Sequence, residues 1–205
     1  MKTKIKIING NQIGGCITVI SADKTKILID FGESLPDIES DEKIDFDWRS
    51  EGINAVFFTH YHGDHIGRID EIPNHIPIYM GETTYRVLLN INERIHKTKE
   101  PNLLKNRPNI NFIEPKTAVL IDDIKITAYS VDHSAFDAYM FLVFANNEYI
   151  LHTGDYRDHG HKGHIKKNGK DRNVLLDVIK YYVTDRGRRP INALVTEVGI
   201  LLLRP

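Results

Sequence analysis

Apolar and polar positions along the chain change period several times, and each change marks an element. KIKII (4–8) alternates, as a half-buried strand does. CITVIS (16–21) and KILIDF (26–31) are two more β-type runs, joined by a tight ADKT turn. NAVFFT (54–59) is almost wholly apolar, the pattern of a strand covered on both faces, and IPIYM (76–80) is a shorter strand. The period then becomes helical. In residues 81–98, Tyr85, Leu88, Leu89, Ile91 and Ile95 recur at steps of about three to four, with Glu82–Thr84 as the first turn. Strand patterns return at INFI (110–113), AVLI (118–121), IKITAYSV (124–131), YMFLVF (139–144) and YILHT (149–153), and Asn146-Asn147 suits a hairpin turn. NVLLDVIKYYV (173–183) reads as a helix capped by Asp171, and INALVT (191–196) as a last buried strand. Strands dominate and helices are few. The expected architecture is a β-sandwich with helices outside it, not a regular alternating βαβ wind.

The stretch THYHGDHIG (59–67) stands out, because it follows a buried strand with His60, His62, Asp64 and His65 inside six positions. A polar loop that happens to be histidine-rich is the plain reading. Metal binding is the sharper one, since imidazole and carboxylate are ligands for zinc and related divalent ions. In an extended segment, residues two apart project to the same side, so His60 and His62 can grip one ion. Gly63 permits a sharp turn that sends Asp64 and His65 towards a second point. Two such pairs suit a two-metal centre with ions about 3.5–4 Å apart.

Bulk properties narrow the setting. The chain has 205 residues, enough for one sizeable domain, and Lys+Arg 27 against Asp+Glu 28 leaves a net charge of -1 that names no partner. Its distribution is uneven: acids dominate 30–51, whereas bases dominate 156–190 and keep an anionic partner in view. Cys16 is the sole cysteine, so no intrachain disulfide forms, consistent with a cytoplasmic protein. No apolar run reaches the length of a membrane span or of a signal sequence, so no membrane partner is expected.

THYHGDHIG resembles the His-x-His-x-Asp-His signature of the metallo-β-lactamase fold hydrolases. The resemblance implies an α/β fold, an αββα sandwich with a binuclear site at one edge. It extends to YSVDHSAFDAY, where His133 matches the third ligand of the first ion, and to ILHTGDYR, where Asp155 matches the carboxylate shared by both ions. In ILIDFG, Asp30 matches an aspartate that supports the site from behind. The implied metal ligands are thus His60, His62 and His133 for one ion and Asp64 and His65 for the other, with Asp155 between them. The implied cofactor is a pair of divalent ions, zinc first, with manganese or iron as alternatives. Asp64 is the implied catalytic residue, orienting a hydroxide or taking its proton. Of the remaining histidines, His75 and His96 read as surface residues and His152 as a packed or supporting one. His159, His161 and His164 (HGHKGH) read as a flexible basic loop.

VDHSAFDAYMFL, LHTGDYR and INALVTE are similar to the ribonuclease J and β-CASP branch, and the basic segment 156–190 suits a phosphate backbone. The expected function is therefore a metal-dependent phosphodiesterase or ribonuclease, with nucleic acid as substrate, RNA before DNA. Two alternatives stand beside it: a non-catalytic or partner-dependent metal-binding fragment, and a thioester or lactone hydrolase of the same fold. In that branch a cap domain and a final histidine follow the strand ending Thr-Glu, whereas this sequence reads VTEVGILLLRP and stops. The expectation is one metallo-β-lactamase-like domain over 1–205, incomplete at its C-terminus, without the cap and without the last ligand of the second ion. The apolar GILLL would then need an oligomer or a partner chain to cover it.

Overall fold

The computed structural model describes residues 2–12, 14–15, 17–35, 46–95, 102–157, 164–167, 170–183 and 191–196. One sheet has six strands in the order β1 (Lys4–Ile8), β2 (Ile17–Ser21), β3 (Lys26–Ile29), β4 (Ala55–Phe57), β5 (Ile78–Met80) and β6 (Ile110–Phe112). A second has five strands. From one edge to the other they are β13 (Ile191–Val195), β10 (Glu148–His152), β9 (Tyr139–Ala145), β8 (Ile124–Ser130) and β7 (Ala118–Ile121). A two-stranded ribbon, β11 (His164–Lys167) with β12 (Lys170–Asn173), stands apart from both.

Strand alternation sorts the core into layers. Ile27, Ile29 and Phe57 of the first sheet share one core with Ile126, Phe141 and Val143 of the second. The alternate residues Leu28 and Val56, with Phe58 just past β4, face outward with Ile66 and with Leu88 of helix α3 (Glu82–Ile95). On the far side, Met140, Leu142 and Leu151 pack with Val178 of helix α5 (Val174–Val183). The result is helix, sheet, sheet, helix: an αββα sandwich. Between the sheets, Phe57 stacks on Tyr79 at 4.6 Å between centroids and meets Phe141 edge-on at 5.8 Å.

Four features differ from the pattern reading. β3 to β6 pair in parallel, so half of the first sheet is wound through crossovers. Two of the crossover helices, α1 (Trp48–Glu51) and α2 (Gly63–Ile66), and α4 (Asn102–Lys105) have four residues each, too few for a helical period to emerge from sequence. The cap of α5 is Asn173, whose Oδ1 accepts the Leu176 N–H at 3.0 Å, because Asp171 is engaged in β12. His164 belongs to β11, where it pairs with Asn173, and not to a flexible loop. Asn146 and Asn147 do form the hairpin turn, at φ 47 and φ 64, the left-handed pair that a two-residue hairpin needs.

The terminal GILLL, Cys16, His96, His159, His161 and part of the basic segment lie outside the described residues. Among the described residues, no helix is long and apolar enough to cross a membrane.

Phe57 is wholly buried between the sheets. Phe57→Ala should therefore cost about 3–5 kcal/mol of folding free energy, read as a lowered urea midpoint with an unchanged m-value.

Candidate metal centre

β3 and β4 are parallel neighbours and end at the same edge of the sandwich. Beyond β4 the chain passes through Thr59, His60, Tyr61 and His62 into α2. His62 is the extended residue before that helix, at φ -66 and ψ 146. The turn that follows is helical and not a left-handed glycine turn: the N–H groups of His65 and Ile66 both donate to the His62 carbonyl at 3.0 Å. Gly63 is absent from the positive-φ glycines and has open space where a Cβ would stand. The glycine this loop requires is Gly32, on the neighbouring segment, where a Cβ would lie 1.7 Å from the Asp64 carbonyl oxygen. That close approach lets Phe31 N donate to His65 O at 2.7 Å and Glu33 N to Gly63 O at 2.9 Å, pinning α2 to the end of β3.

Asp30 orders the histidines from beneath. It is 1% exposed and sits at φ 59. Its Oδ1 accepts the Thr59 N–H at 2.8 Å. Its Oδ2 accepts the Thr59 hydroxyl at 2.7 Å and faces His65 Nδ1 at 2.9 Å. Burial pushes this carboxyl up, but the charge and hydrogen bond of His65 outweigh it and hold the group below its ordinary value. An ionised Asp30 obliges His65 Nδ1 to carry its proton, which leaves Nε2 with a lone pair. The Thr59 hydroxyl gives its proton to Asp30, so it accepts from His60 Nδ1 at 3.0 Å, and His60 Nε2 is likewise a lone-pair donor.

Those lone pairs converge with four other groups. His60 Nε2 stands 3.0 Å from His62 Nδ1, and His133 Nε2 is 3.2 Å from the same atom. His133 comes from the loop after β8. Asp155, on the turn after β10, sets Oδ2 3.5 Å from His133 Nε2 and Oδ1 3.7 Å from His65 Nε2, so its two oxygens face two groups of ligands. Asp64 Oδ2 lies 3.8 Å from His65 Nε2. Two triads result, His60 with His62 and His133, and His60 with His65 and Asp155; within each, one ligand atom per residue lies within 4.8 Å of the others. Tetrahedral zinc with bonds of 2.0–2.1 Å separates its nitrogens by about 3.3 Å, close to the observed spacings, so the donor set fits a divalent ion.

The protonation states agree with that chemistry. Burial and the neighbouring His65 push His60 down to about 3, against the pull of Asp30. Burial also lowers His62 and His133, and the Arg157 guanidinium adds to the lowering at both. Neutral imidazole is the ligand form. Burial raises Asp155, but His65, His60 and His133 more than reverse it and hold the carboxylate ionised.

His152 supports Asp155 from behind. Its Nδ1 accepts the Gly154 N–H at 3.2 Å, so its Nε2–H is directed at Thr18 Oγ1, also at 3.2 Å. Gly154, at φ 53, turns the chain where a Cβ would press within 2.9 Å of the Thr59 methyl. His75 is exposed and remote from these contacts. Pattern reading passed over Gly32, Thr18 and Thr59, and took Arg157 only as part of the basic segment. Thr59 was within reach, as the residue between a strand end and the first histidine; nothing local marks the others.

Residues 13–86 match the metallo-β-lactamase superfamily. Ribonuclease J of Helicobacter pylori is 27% identical over 165 residues, covering 76% of this chain and 23% of that protein. The DNA cross-link repair protein SNM1 of Arabidopsis thaliana is 29% identical over 107 residues, 52% of this chain and 20% of that one. The chain thus spans about a quarter or less of the length of these relatives. Among solved structures, a protein of unknown function from Enterococcus faecalis V583 aligns with TM-score 0.65 and 24% identity over 79% of this chain and 45% of its own. A subclass B3 metallo-β-lactamase from a soil metagenome, MEM-A1, aligns with TM-score 0.55 and 16% identity over 95% of this chain and 75% of its own.

Two outcomes follow from the site's construction. Gly32→Ala should force α2 away from β3 and lower both folding stability and zinc affinity, measured by urea titration and by competition with a chromogenic chelator. His152 is wholly enclosed and burial pushes it down to about 4, so the unfolded chain takes up the proton first. The stability it confers is complete above about pH 6.5 and falls by about 1.4 kcal/mol per pH unit as pH drops towards 4. Urea unfolding of metal-free protein across that window should show a slope smaller by one proton in His152→Gln. An equal slope would remove His152 as its source.

Proposed function

We propose that this chain, a member of the metallo-β-lactamase fold hydrolases, cleaves phosphodiester bonds in nucleic acid, RNA before DNA, with two divalent ions, zinc first. The observation that carries this reading is the convergence of imidazole and carboxylate groups from separate segments, His60, His62, Asp64 and His65 with His133 and Asp155. His60, His62 and His133 would hold one ion, and Asp64, His65 and Asp155 the other, with Asp155 shared. Bound there, divalent ions supply Lewis acidity: they acidify a water and stabilise charge on the phosphoryl oxygens.

The chain's own groups do the rest. Asp30 and Thr59 hold the protons of His65 and His60 on Nδ1, so both rings present Nε2 throughout. Asp64, partly open to solvent, accepts the proton of the attacking water. Arg157, exposed two residues after Asp155, has its backbone N–H on the Asp132 carbonyl at 2.6 Å and so places a cation beside His133. A guanidinium in that position suits a phosphate better than a neutral thioester or lactone. The relatives, a ribonuclease and a DNA cross-link repair protein, support the nucleic-acid reading. The lone cysteine accords with work in the reducing cytoplasm.

Purified chain should carry close to two zinc or manganese ions by elemental analysis and should shorten end-labelled RNA. Asp64→Ala should reduce cleavage by at least a hundredfold, in line with loss of a general base. One ion or none, with no cleavage above blank, would leave a metal-binding module in place of an enzyme. Turnover of thioesters or lactones with no attack on RNA would move the substrate class.

A further inference from the structure

The loop between β8 and β9 carries two side chains of opposite character. His133 turns inward to the ligand cluster, with Nε2 3.2 Å from His62 Nδ1. Phe136, three residues on, is 71% exposed, more than any other large apolar side chain among the described residues. Leaving a phenyl ring in water forgoes about 1.5–3 kcal/mol of burial, so a loop that holds it there invites a reason.

Slackness is not that reason, because the loop is fastened on every side. At its base Val131 N donates to Ala138 O at 3.0 Å. The Asp132 carbonyl accepts from Arg157 N at 2.6 Å. Asp137, at φ 56, receives the Thr83 N–H on Oδ2 at 2.7 Å, where α3 begins, and the Tyr139 hydroxyl on Oδ1 at 3.2 Å. Phe136's own N–H donates to the Tyr61 hydroxyl at 3.4 Å, and the Tyr61 ring stands edge-on to His62 at 5.4 Å. Phe136 is thereby tied through one residue to a ring of the candidate metal centre, on the same loop that Arg157 grips.

We propose that Phe136 is a stacking platform for a nucleobase next to the phosphate engaged at the metal centre. This inference rests on the phosphodiesterase reading and deepens it. Every base has a π-face, so an exposed phenyl ring contributes affinity without demanding a sequence, and such stacking contributes about 1–3 kcal/mol per base. The ring is a binding group; it takes no part in bond breaking.

The test is equilibrium binding of a short fluorescent single-stranded RNA with cleavage-resistant phosphorothioate linkages to the full chain loaded with zinc or manganese, read by anisotropy, so that cleavage does not interfere. Phe136→Ala should weaken Kd by about tenfold or more, and Phe136→Trp should bind at least as tightly as the parent. Replacing the bases by abasic residues should weaken the parent similarly, and the two losses should not add when combined. Tight RNA binding by the parent that Phe136→Ala leaves unchanged, or losses that add in full, would overturn the platform and leave the phosphodiesterase reading standing. A parent chain that neither binds nor cleaves RNA would overturn both.

Discussion

The Asp30 carboxylate, almost wholly enclosed, meets the Thr59 N–H, the Thr59 hydroxyl and His65 Nδ1 within 2.9 Å. A buried charge is tolerated only when its oxygens are satisfied, and removing one partner leaves a strongly unfavourable ion. The three donors arise from the end of β4 and from α2, while Asp30 itself ends β3. One carboxylate therefore joins three segments at the sheet edge. Its left-handed backbone, at φ 59, costs on the order of 1–3 kcal/mol, and the surrounding hydrogen bonds are what keep it there.

From that joint the character of the site follows. With Asp30 ionised, the protons of His65 and His60 are confined to Nδ1 and the lone pairs on Nε2 look outward. The first sheet thereby presents His60, His62 and His65 from a single short segment. The second sheet contributes His133 and Asp155 from the ends of β8 and β10. Neither sheet alone carries a full set of candidate ligands. The two contributions are brought together by the packing of the sandwich, in which Phe57 meets Phe141 edge-on. Core packing and metal-ligand geometry are in this sense the same constraint seen at two depths.

The fold alone does not select chemistry, as the likeness in architecture to a subclass B3 metallo-β-lactamase illustrates. Selection belongs to the rim. Arg157 and Phe136 both stand on or against the loop that carries His133, one offering charge and the other a flat apolar face. A polyanion with aromatic bases would find a partner in each.

Strand periods, the Asn146-Asn147 turn and the clustering of His60, His62, Asp64 and His65 were legible in the sequence, because each depends on neighbours a few residues apart. Resemblance added His133 and Asp155 to a sandwich that the strand pattern already implied. The helical turn of α2, the cap at Asn173 and the parallel winding of β3 to β6 were not legible, since four-residue helices show no period and capping depends on competing pairings. Gly32 escaped notice for a plainer reason: its constraint is the Asp64 carbonyl oxygen, thirty-two positions away, where a Cβ would stand 1.7 Å from it. The same holds for Thr18 beneath His152 and for Tyr61 against Phe136. Local sequence marked the side chains able to bind a cation and the burial of AVFF (55–58), but it misjudged INALVT, which is an edge strand with Leu194 58% exposed. Which ring nitrogens carry protons, and which glycine admits the close approach, depended on the assembled fold. Those outcomes are set by contacts between segments that are distant along the chain and adjacent only once the sheets are assembled.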